Sequence, residues 1–288
     1  MILAAATFFR KAGKYFFFGN IFISVCAFCL FWATCLLIQF PLPLNLGVWV
    51  ALATFFLYNF DSLLPTKLRY HVAVSPRKAW VLAHRRVIAS AVVAAGLLML
   101  FLFFYAFRMA HFWLLAHLAV LSLFYSWPIL PTSQGFIPLR NVPLLKILLI
   151  SYVWAVVTVW LPLLAANWQF LAGKGWLLFL ERFLFILPLT IIFDIRDVQR
   201  DQTTGTLTLP RLVGIGTAKW IAFTVLIGYL LLVFITHQGA NCFALICSGF
   251  LYSLLIYLTN ESRNEYFYAV AADGILVVPV ILLLLFTI

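Results

Sequence analysis

Three aspartates in the second half of the chain, Asp194, Asp197 and Asp201, have the spacing of one helical face. At about 100° per residue, positions i, i+3 and i+7 fall within an arc of about 60°. Three carboxylates on one stripe repel one another, and Arg196 and Arg200 are expected to point elsewhere on the helix. Carboxylate oxygens suit Mg²⁺, which often bridges protein carboxylates to phosphate groups. The stripe therefore predicts a Mg²⁺ site with the three aspartates as ligands.

The stripe lies in a chain with the composition of a polytopic membrane protein. Of its 288 residues, 66% are hydrophobic and 9% are charged, against about 45–50% and about 25% in soluble domains. A soluble fold of this length cannot bury so much apolar surface, so soluble and disordered classes are excluded. The alternative for the stripe is a solvated helix end. Because the stripe directly follows the apolar run 183–193, carboxylates at membrane depth are favoured, and these usually face a cavity or a partner.

Nine apolar stretches approach or reach the roughly 20 residues that a membrane-spanning helix needs. They are continuous rather than alternating, which favours helices over a barrel. The predicted fold class is therefore an all-α membrane protein with nine transmembrane helices around a polar chamber. The spans lie at about 16–38, 45–63, 87–107, 111–127, 146–166, 176–193, 218–236, 240–258 and 267–286.

The positions of Lys and Arg predict the orientation of these spans. With the N-terminus inside the cell, all but three of the 19 basic residues lie on the cytoplasmic side, the exceptions being Arg108, Lys174 and Arg182. Nine spans then place the C-terminus outside, and we expect a prokaryotic cytoplasmic membrane. The net charge of +11 is thereby explained by topology and by anionic lipids, and no nucleic-acid partner is expected.

Seven of the eight acidic residues map to the same cytoplasmic half, the exception being Glu181. Besides the stripe, Asp61 ends the second span and Asp273 lies about two turns into the ninth. We expect a single domain over 1–288 with two similar helical halves, about 1–145 and 146–288, and a chamber open to the cytoplasm.

The residues after the stripe carry a family resemblance. Gln202 to Pro210 form a turn-rich segment with a glycine and a Thr-Leu-Pro sequence. An aspartate triplet followed by this pattern resembles the second aspartate-rich motif of the UbiA-type intramembrane prenyltransferases. That family is described as having nine helices, a cytoplasmic N-terminus and an active site toward the cytoplasm. The segment 125–128, followed by Arg140 and Lys146, is similar to the family's loop after the fourth helix.

The first aspartate-rich motif of that family is poorly matched here. The family has an Asn followed by three acids at the end of the second helix, whereas this chain keeps Asn59 and places Phe60, Leu63 and Lys67 at the acidic positions. We expect Asn59 and Asp61 to assist the Mg²⁺ site, with Asn59 as a ligand, and Lys67 to neutralise a diphosphate directly. In the alternative, Asp61 is a helix-end residue and this first site is inactive.

The resemblance implies Mg²⁺-dependent transfer of an isoprenyl group from a prenyl diphosphate to an unknown acceptor, aromatic or another lipid precursor. Residues expected to contact the diphosphate are Lys146, Arg140, Arg69 and Arg200. Asp194, Asp197, Asp61 and Asp273 are the expected catalytic carboxylates. Tyr268 would bind substrate beside Asp273. Asp273 would hold the acceptor or accept its proton, although pairing with a base inside the bundle is an equal alternative.

Two other functions stay open at this point. The damaged first motif would also suit a family member that has lost catalysis and binds a lipid. A membrane transporter is the rival from a different class, because charged residues in membranes often mark ion pathways. The grouping of acids at one membrane face, away from the midplane, favours the enzyme.

Overall fold

The computed structural model of the chain is almost entirely helical, as the continuous apolar runs predict. It describes residues 12–64, 76–107, 109–127, 129–132, 135–137, 139, 142, 144–167, 173–204 and 206–287. The helices are, in chain order, α1 (Ala12–Phe18), α2 (Ile21–Leu37), α3 (Leu44–Leu63), α4 (Pro76–Ala83), α5 (Arg85–Ala106), α6 (Met109–Ser126), α7 (Leu145–Ala165), α8 (Gly173–Thr204), α9 (Leu209–Val213), α10 (Ile215–Thr236), α11 (Gly239–Leu258), α12 (Phe267–Ala272) and α13 (Val278–Thr287). A short antiparallel hairpin, β1 (Leu130–Thr132) and β2 (Gly135–Ile137), lies between α6 and α7.

Six helices within the described residues, α3, α5, α7, α8, α10 and α11, are long and apolar enough to cross a membrane. A seventh candidate arises if α1 and α2 are counted as one bent span. The fourth and ninth predicted spans correspond to shorter apolar helices, His111–Tyr125 and Val278–Thr287. The chain is thus a multi-pass membrane protein by the length and composition of its helices.

The first predicted span, 16–38, is not one straight helix, contrary to expectation. Helices α1 and α2 meet at 56°, because Asn20 at their junction adopts the left-handed conformation with φ 62°. Few residues other than glycine tolerate this conformation, and asparagine is one of them. The bend brings the Asn20 side chain against α3, where its Nδ2 donates to Oδ1 of Asn59 at 3.0 Å.

The last predicted span, 267–286, is also interrupted. Residues 267–272 form a π-helical segment, α12, residues 273 and 274 continue as helix, and hydrogen-bonded turns over 275–277 precede α13. Short π-helical segments often occur at functional sites, since they change which faces the flanking helices present. Asp273 lies directly at this irregularity.

The longest helix, α8, is central to the packing and carries the aspartate stripe. It contacts α7, α10 and α12, and its buried residues belong to the same core as those of α2, α10, α11 and α13. The aromatic ring of Phe185 on α8 packs at 5.2 Å between centroids against both Tyr229 of α10 and Tyr252 of α11. With 32 residues, α8 is about 48 Å long and exceeds the thickness of the hydrocarbon core.

Candidate functional site

The three aspartates of the stripe are buried on the last three turns of α8. Asp194 is 2% exposed, Asp197 8% and Asp201 4%. Moving a carboxylate out of water is costly unless a cation or hydrogen-bond donors compensate it. The partners of these carboxylates therefore determine what the site can do.

Asp194 is paired with a lysine from a neighbouring helix. Nζ of Lys146, in the first turn of α7, lies 2.6 Å from Oδ1 of Asp194. Its side chain is 23% exposed, whereas that of Asp194 is 2% exposed, so the lysine reaches from the edge of the site into its interior. The structure thus brings together two residues that the sequence predicts separately as a diphosphate contact and a metal ligand.

Asp197 is held by two guanidinium groups from its own helix. Nε and Nη2 of Arg196 donate to Oδ1 and Oδ2 at 2.9 and 3.1 Å, and Nη2 of Arg200 donates to Oδ2 at 2.8 Å. The expectation that both arginines point away from the stripe is therefore wrong. The direction of a Cβ does not fix the position of a guanidinium, because four rotatable bonds let the arginine fold back along the helix.

Asp201 lies where α8 ends and the loop to α9 begins. Nε of Arg200 approaches its Oδ1 at 4.0 Å. Nη1 of Arg211, on α9, donates to the main-chain carbonyl of Asp201 at 2.9 Å and to that of Thr206. Arg211 therefore fastens the turn-rich segment against the end of the stripe. We refer to Asp194, Asp197, Asp201, Lys146, Arg196 and Arg200 as the Asp194 cluster.

Arg196 also joins this cluster to the C-terminal segment. Its guanidinium carbon lies 4.8 Å from the ring centroid of Phe193 and 5.7 Å from that of Tyr268, within the range of cation–π attraction. The hydroxyl of Tyr268 donates to the main-chain carbonyl of Asn260 at 2.7 Å. Among the described residues, Arg77 and Arg196 are near enough to Asp273 for their charges to act on its carboxylate. Tyr268 and Asp273 thus lie at the same end of α8 as the stripe.

Asn59 is placed in a different polar network, at the bend between α1 and α2. It is fully buried, accepts from Asn20, and donates through Nδ2 to the main-chain carbonyls of Gly19 at 3.1 Å and Phe55 at 2.9 Å. Among the residues that the structure describes, its hydrogen bonds join α3 to this bend and do not reach the stripe. Asp61 follows in the last turn of α3. Lys67, Arg69 and Arg140 lie outside the described residues.

Two polar residues of this region, Asn20 and Arg77, were not among the predicted site residues. Nη2 of Arg77 donates to Oδ1 of Asn20, and its main-chain N–H donates to Oε2 of Glu265 at 3.2 Å. Burial lowers the pKa of the Arg77 guanidinium, and the charge of Arg196 lowers it further, whereas Asp273 and Glu265 raise it. Nothing in the sequence distinguishes Arg77 from its basic neighbours; its partners are 57 and 188 positions away.

The donor set of the stripe fits Mg²⁺ in its chemistry, because every ligand atom that it offers is a carboxylate oxygen. Within the described parts of the chain, no three side chains of His, Cys, Asp or Glu are gathered as a metal ion would require. The carboxylates are instead compensated by Lys146, Arg196 and Arg200. Binding of Mg²⁺ at Asp194 would have to displace Lys146 or change its position.

No protein-family model matches the chain, and neither a curated protein nor a solved structure matches it. A functional assignment therefore depends on the residues themselves.

Proposed function

We propose that the protein is a Mg²⁺-dependent intramembrane prenyltransferase that moves an isoprenyl group from a prenyl diphosphate to an aromatic or other lipid-precursor acceptor. The observation that carries the proposal is the Asp194 cluster, in which three buried carboxylates and three basic side chains meet at one end of α8. Carboxylates suit the metal, and the basic groups suit the phosphate oxygens. The resemblance of the stripe and the Thr-Leu-Pro segment to UbiA-type enzymes is the second support.

In this proposal the site stabilises the departure of the diphosphate. The bond between the allylic carbon and the diphosphate oxygen breaks, and both electrons leave with the diphosphate. Mg²⁺ held by Asp194, Asp197 and Asp201 would supply positive charge for the leaving group. Asp61 would assist from the last turn of α3, and Asn59 would assist only after giving up its hydrogen bonds at the α1–α2 bend. Lys146 and Arg200 would bind phosphate oxygens directly, together with Arg69, Arg140 and Lys67.

The acceptor half of the reaction is assigned to the C-terminal segment. A new bond forms between the allylic carbon and the acceptor, which then gives up a proton. Asp273 would take that proton, and Tyr268 would line the acceptor position. The support for this assignment is that Arg196 contacts the ring of Tyr268 and acts on Asp273 while holding Asp197. Apolar and aromatic surroundings would keep water from the reacting carbon.

The membrane arrangement belongs to the same proposal. Nine spans with a cytoplasmic N-terminus would place the Asp194 cluster toward the cytoplasm of a prokaryotic cell. Membrane lipids would then surround the bundle, and the two substrates would enter from the bilayer. The bent pair α1–α2 and the short apolar helices within α6 and α13 provide the three candidates beyond the six long spans.

A diphosphate-release assay tests the proposal. Purified protein is incubated with Mg²⁺, prenyl diphosphates of several lengths and extracted lipids, and released diphosphate is measured. We expect release by the natural chain and a loss of at least about 100-fold in Asp194→Asn, in line with removal of a major electrostatic contribution. Glu261→Gln, which removes a carboxylate from the segment between α11 and α12, is the matched control and should retain activity.

Two outcomes would contradict the proposal. Release that is unaffected by Asp194→Asn and Asp197→Asn would exclude the Asp194 cluster as the site. Binding of prenyl diphosphate without release for any donor would indicate a protein that has lost catalysis and binds a lipid.

A further inference from the structure

A second buried polar cluster lies on the same helix, twelve residues before Asp194. It consists of Glu181 and Arg182 on α8, Thr34 on α2, and Thr236 and His237 at the end of α10; we refer to it as the Arg182 cluster. Glu181 is 4% and Arg182 8% exposed. Along α8, Arg182 and Asp194 are about 18 Å apart. The proposed prenyl transfer does not use this cluster.

Each carboxylate oxygen of Glu181 has a side-chain partner at the end of α10. The hydroxyl of Thr236 donates to Oε1 at 2.5 Å, and Nε2 of His237 lies 2.9 Å from Oε2. When the imidazole is protonated, the two side chains form an ion pair that neutralises the carboxylate. The negative charge nearest to Arg182 is then already compensated.

The guanidinium of Arg182, by comparison, has few hydrogen-bond acceptors. Within the described residues its guanidinium donates one hydrogen bond, from Nη2 to the hydroxyl of Thr34 at 3.1 Å. Its Nε is buried and has no hydrogen-bond partner among the same residues. A buried N–H donor without an acceptor costs roughly 1–3 kcal/mol, and more when the donor is charged. The side chain therefore lacks an acceptor, and preferably one that carries negative charge.

The side chains around Arg182 leave room for that acceptor. A cavity of about 20 Å³ is lined by Arg182, Thr34, Tyr229 and Glu181, and by apolar groups that include Phe185 and Leu37. A volume of about 10–15 Å³ is enough for one water-sized particle. The cavity thus has room for a single water-sized ligand beside Arg182.

From this geometry we propose that the Arg182 cluster binds one monatomic anion of the halide class, chloride in the cell. Nε–H of Arg182 is the principal donor. With His237 protonated, the charges of Glu181, Arg182 and His237 add to +1, and one halide makes the cluster neutral.

Groups from three helices surround His237 and Arg182. Nε2 of His237 lies 2.9 Å from Oε2 of Glu181 on α8, and Cys242 of α11 lines the same shallow groove as His237. Tyr229 of α10 lines the cavity beside Arg182.

Halide-dependent thermal stability of the purified chain tests this site. The protein in detergent is titrated with sodium chloride or bromide against sodium gluconate at equal ionic strength. We expect a saturable rise in unfolding temperature with either halide and none with gluconate. Arg182→Lys keeps the charge but lacks Nε–H, and should weaken halide binding about tenfold, the equivalent of one good hydrogen bond to a charged group.

Further variants and a direct measurement complete the test. His237→Gln should weaken halide binding, whereas Arg263→Gln, at an exposed arginine near α12, is the matched control and should leave it unchanged. Bromide should be located beside Nε of Arg182 by its anomalous scattering. The proposal is overturned if the natural chain shows no halide effect, which means that the cavity holds water only. It is equally overturned if Arg182→Lys and His237→Gln both respond like the natural chain, which places any halide elsewhere.

Discussion

The two buried polar clusters of α8 balance charge in opposite ways. In the Asp194 cluster all three basic side chains are paired with carboxylates. Lys146 pairs with Asp194, and both Arg196 and Arg200 pair with Asp197. In the Arg182 cluster the carboxylate is engaged by Thr236 and His237, and among the described residues no side chain of opposite charge forms an ion pair with the arginine. One end of the helix is therefore organised around acids and the other around a base. The first favours metal and phosphate ligands, and the second favours a small anion.

The largest expected effect of a substitution is at Lys146. Lys146→Met leaves the carboxylate of Asp194 buried without its cation, and should lower the free energy of unfolding by about 3 kcal/mol. Chemical denaturation in detergent micelles measures this change. The double variant Lys146→Met with Asp194→Asn removes both charges and should recover most of the loss. If Lys146→Met is as stable as the natural chain, Asp194 does not depend on Lys146.

An intermediate effect is expected at the other cluster. Thr236→Val preserves the shape of the side chain but removes the 2.5 Å hydrogen bond to Glu181. This should cost about 1.5–2 kcal/mol, the lower part of the range for a hydrogen bond to a charged group. Thr224→Val is the matched control on the same helix, because the Thr224 hydroxyl donates only to the carbonyl of Trp220 within the described residues. Equal stabilities of the two variants would show that Glu181 does not need Thr236.

The smallest effect on stability is expected at Arg200. Its side chain is 61% exposed, and Asp197 keeps both of its bonds to Arg196, so Arg200→Gln should change the unfolding free energy by less than about 1 kcal/mol. If Arg200 binds the diphosphate as proposed, the same variant raises the KM for the prenyl diphosphate with little change in fold. A large loss of stability would instead show that Asp197 needs both arginines.

Much of the fold follows from hydrophobicity alone. The runs that predict spans two, three, five, seven and eight correspond to α3, α5, α7, α10 and α11, since an uninterrupted apolar stretch in lipid must satisfy its own backbone hydrogen bonds as a helix. The break at Asn20 was missed, because one left-handed residue leaves the hydropathy of its segment unchanged. The interruption over 275–277 was missed for the same reason.

The site was predictable in part. The spacing of Asp194, Asp197 and Asp201 predicts a shared face, and all three are buried near the end of α8. Their partners were predicted less well, because the conformation of a long arginine and contacts between distant helices leave no periodic signal. Glu181 and His237 are 56 positions apart, and only the packing of α8 against α10 brings them together.

Because α8 carries both the Asp194 cluster and the Arg182 cluster, one continuous helix connects them. Pro188, at the midpoint of the helix, cannot donate to the carbonyl of Leu184, which leaves the helix easier to bend at this point than elsewhere. A ligand that tilts one half of α8 therefore changes the angle at Pro188, and with it the position of one cluster relative to the other. By thermodynamic linkage, if a ligand at one cluster changes the affinity of the other cluster for its own ligand, the second ligand changes the affinity for the first by the same factor.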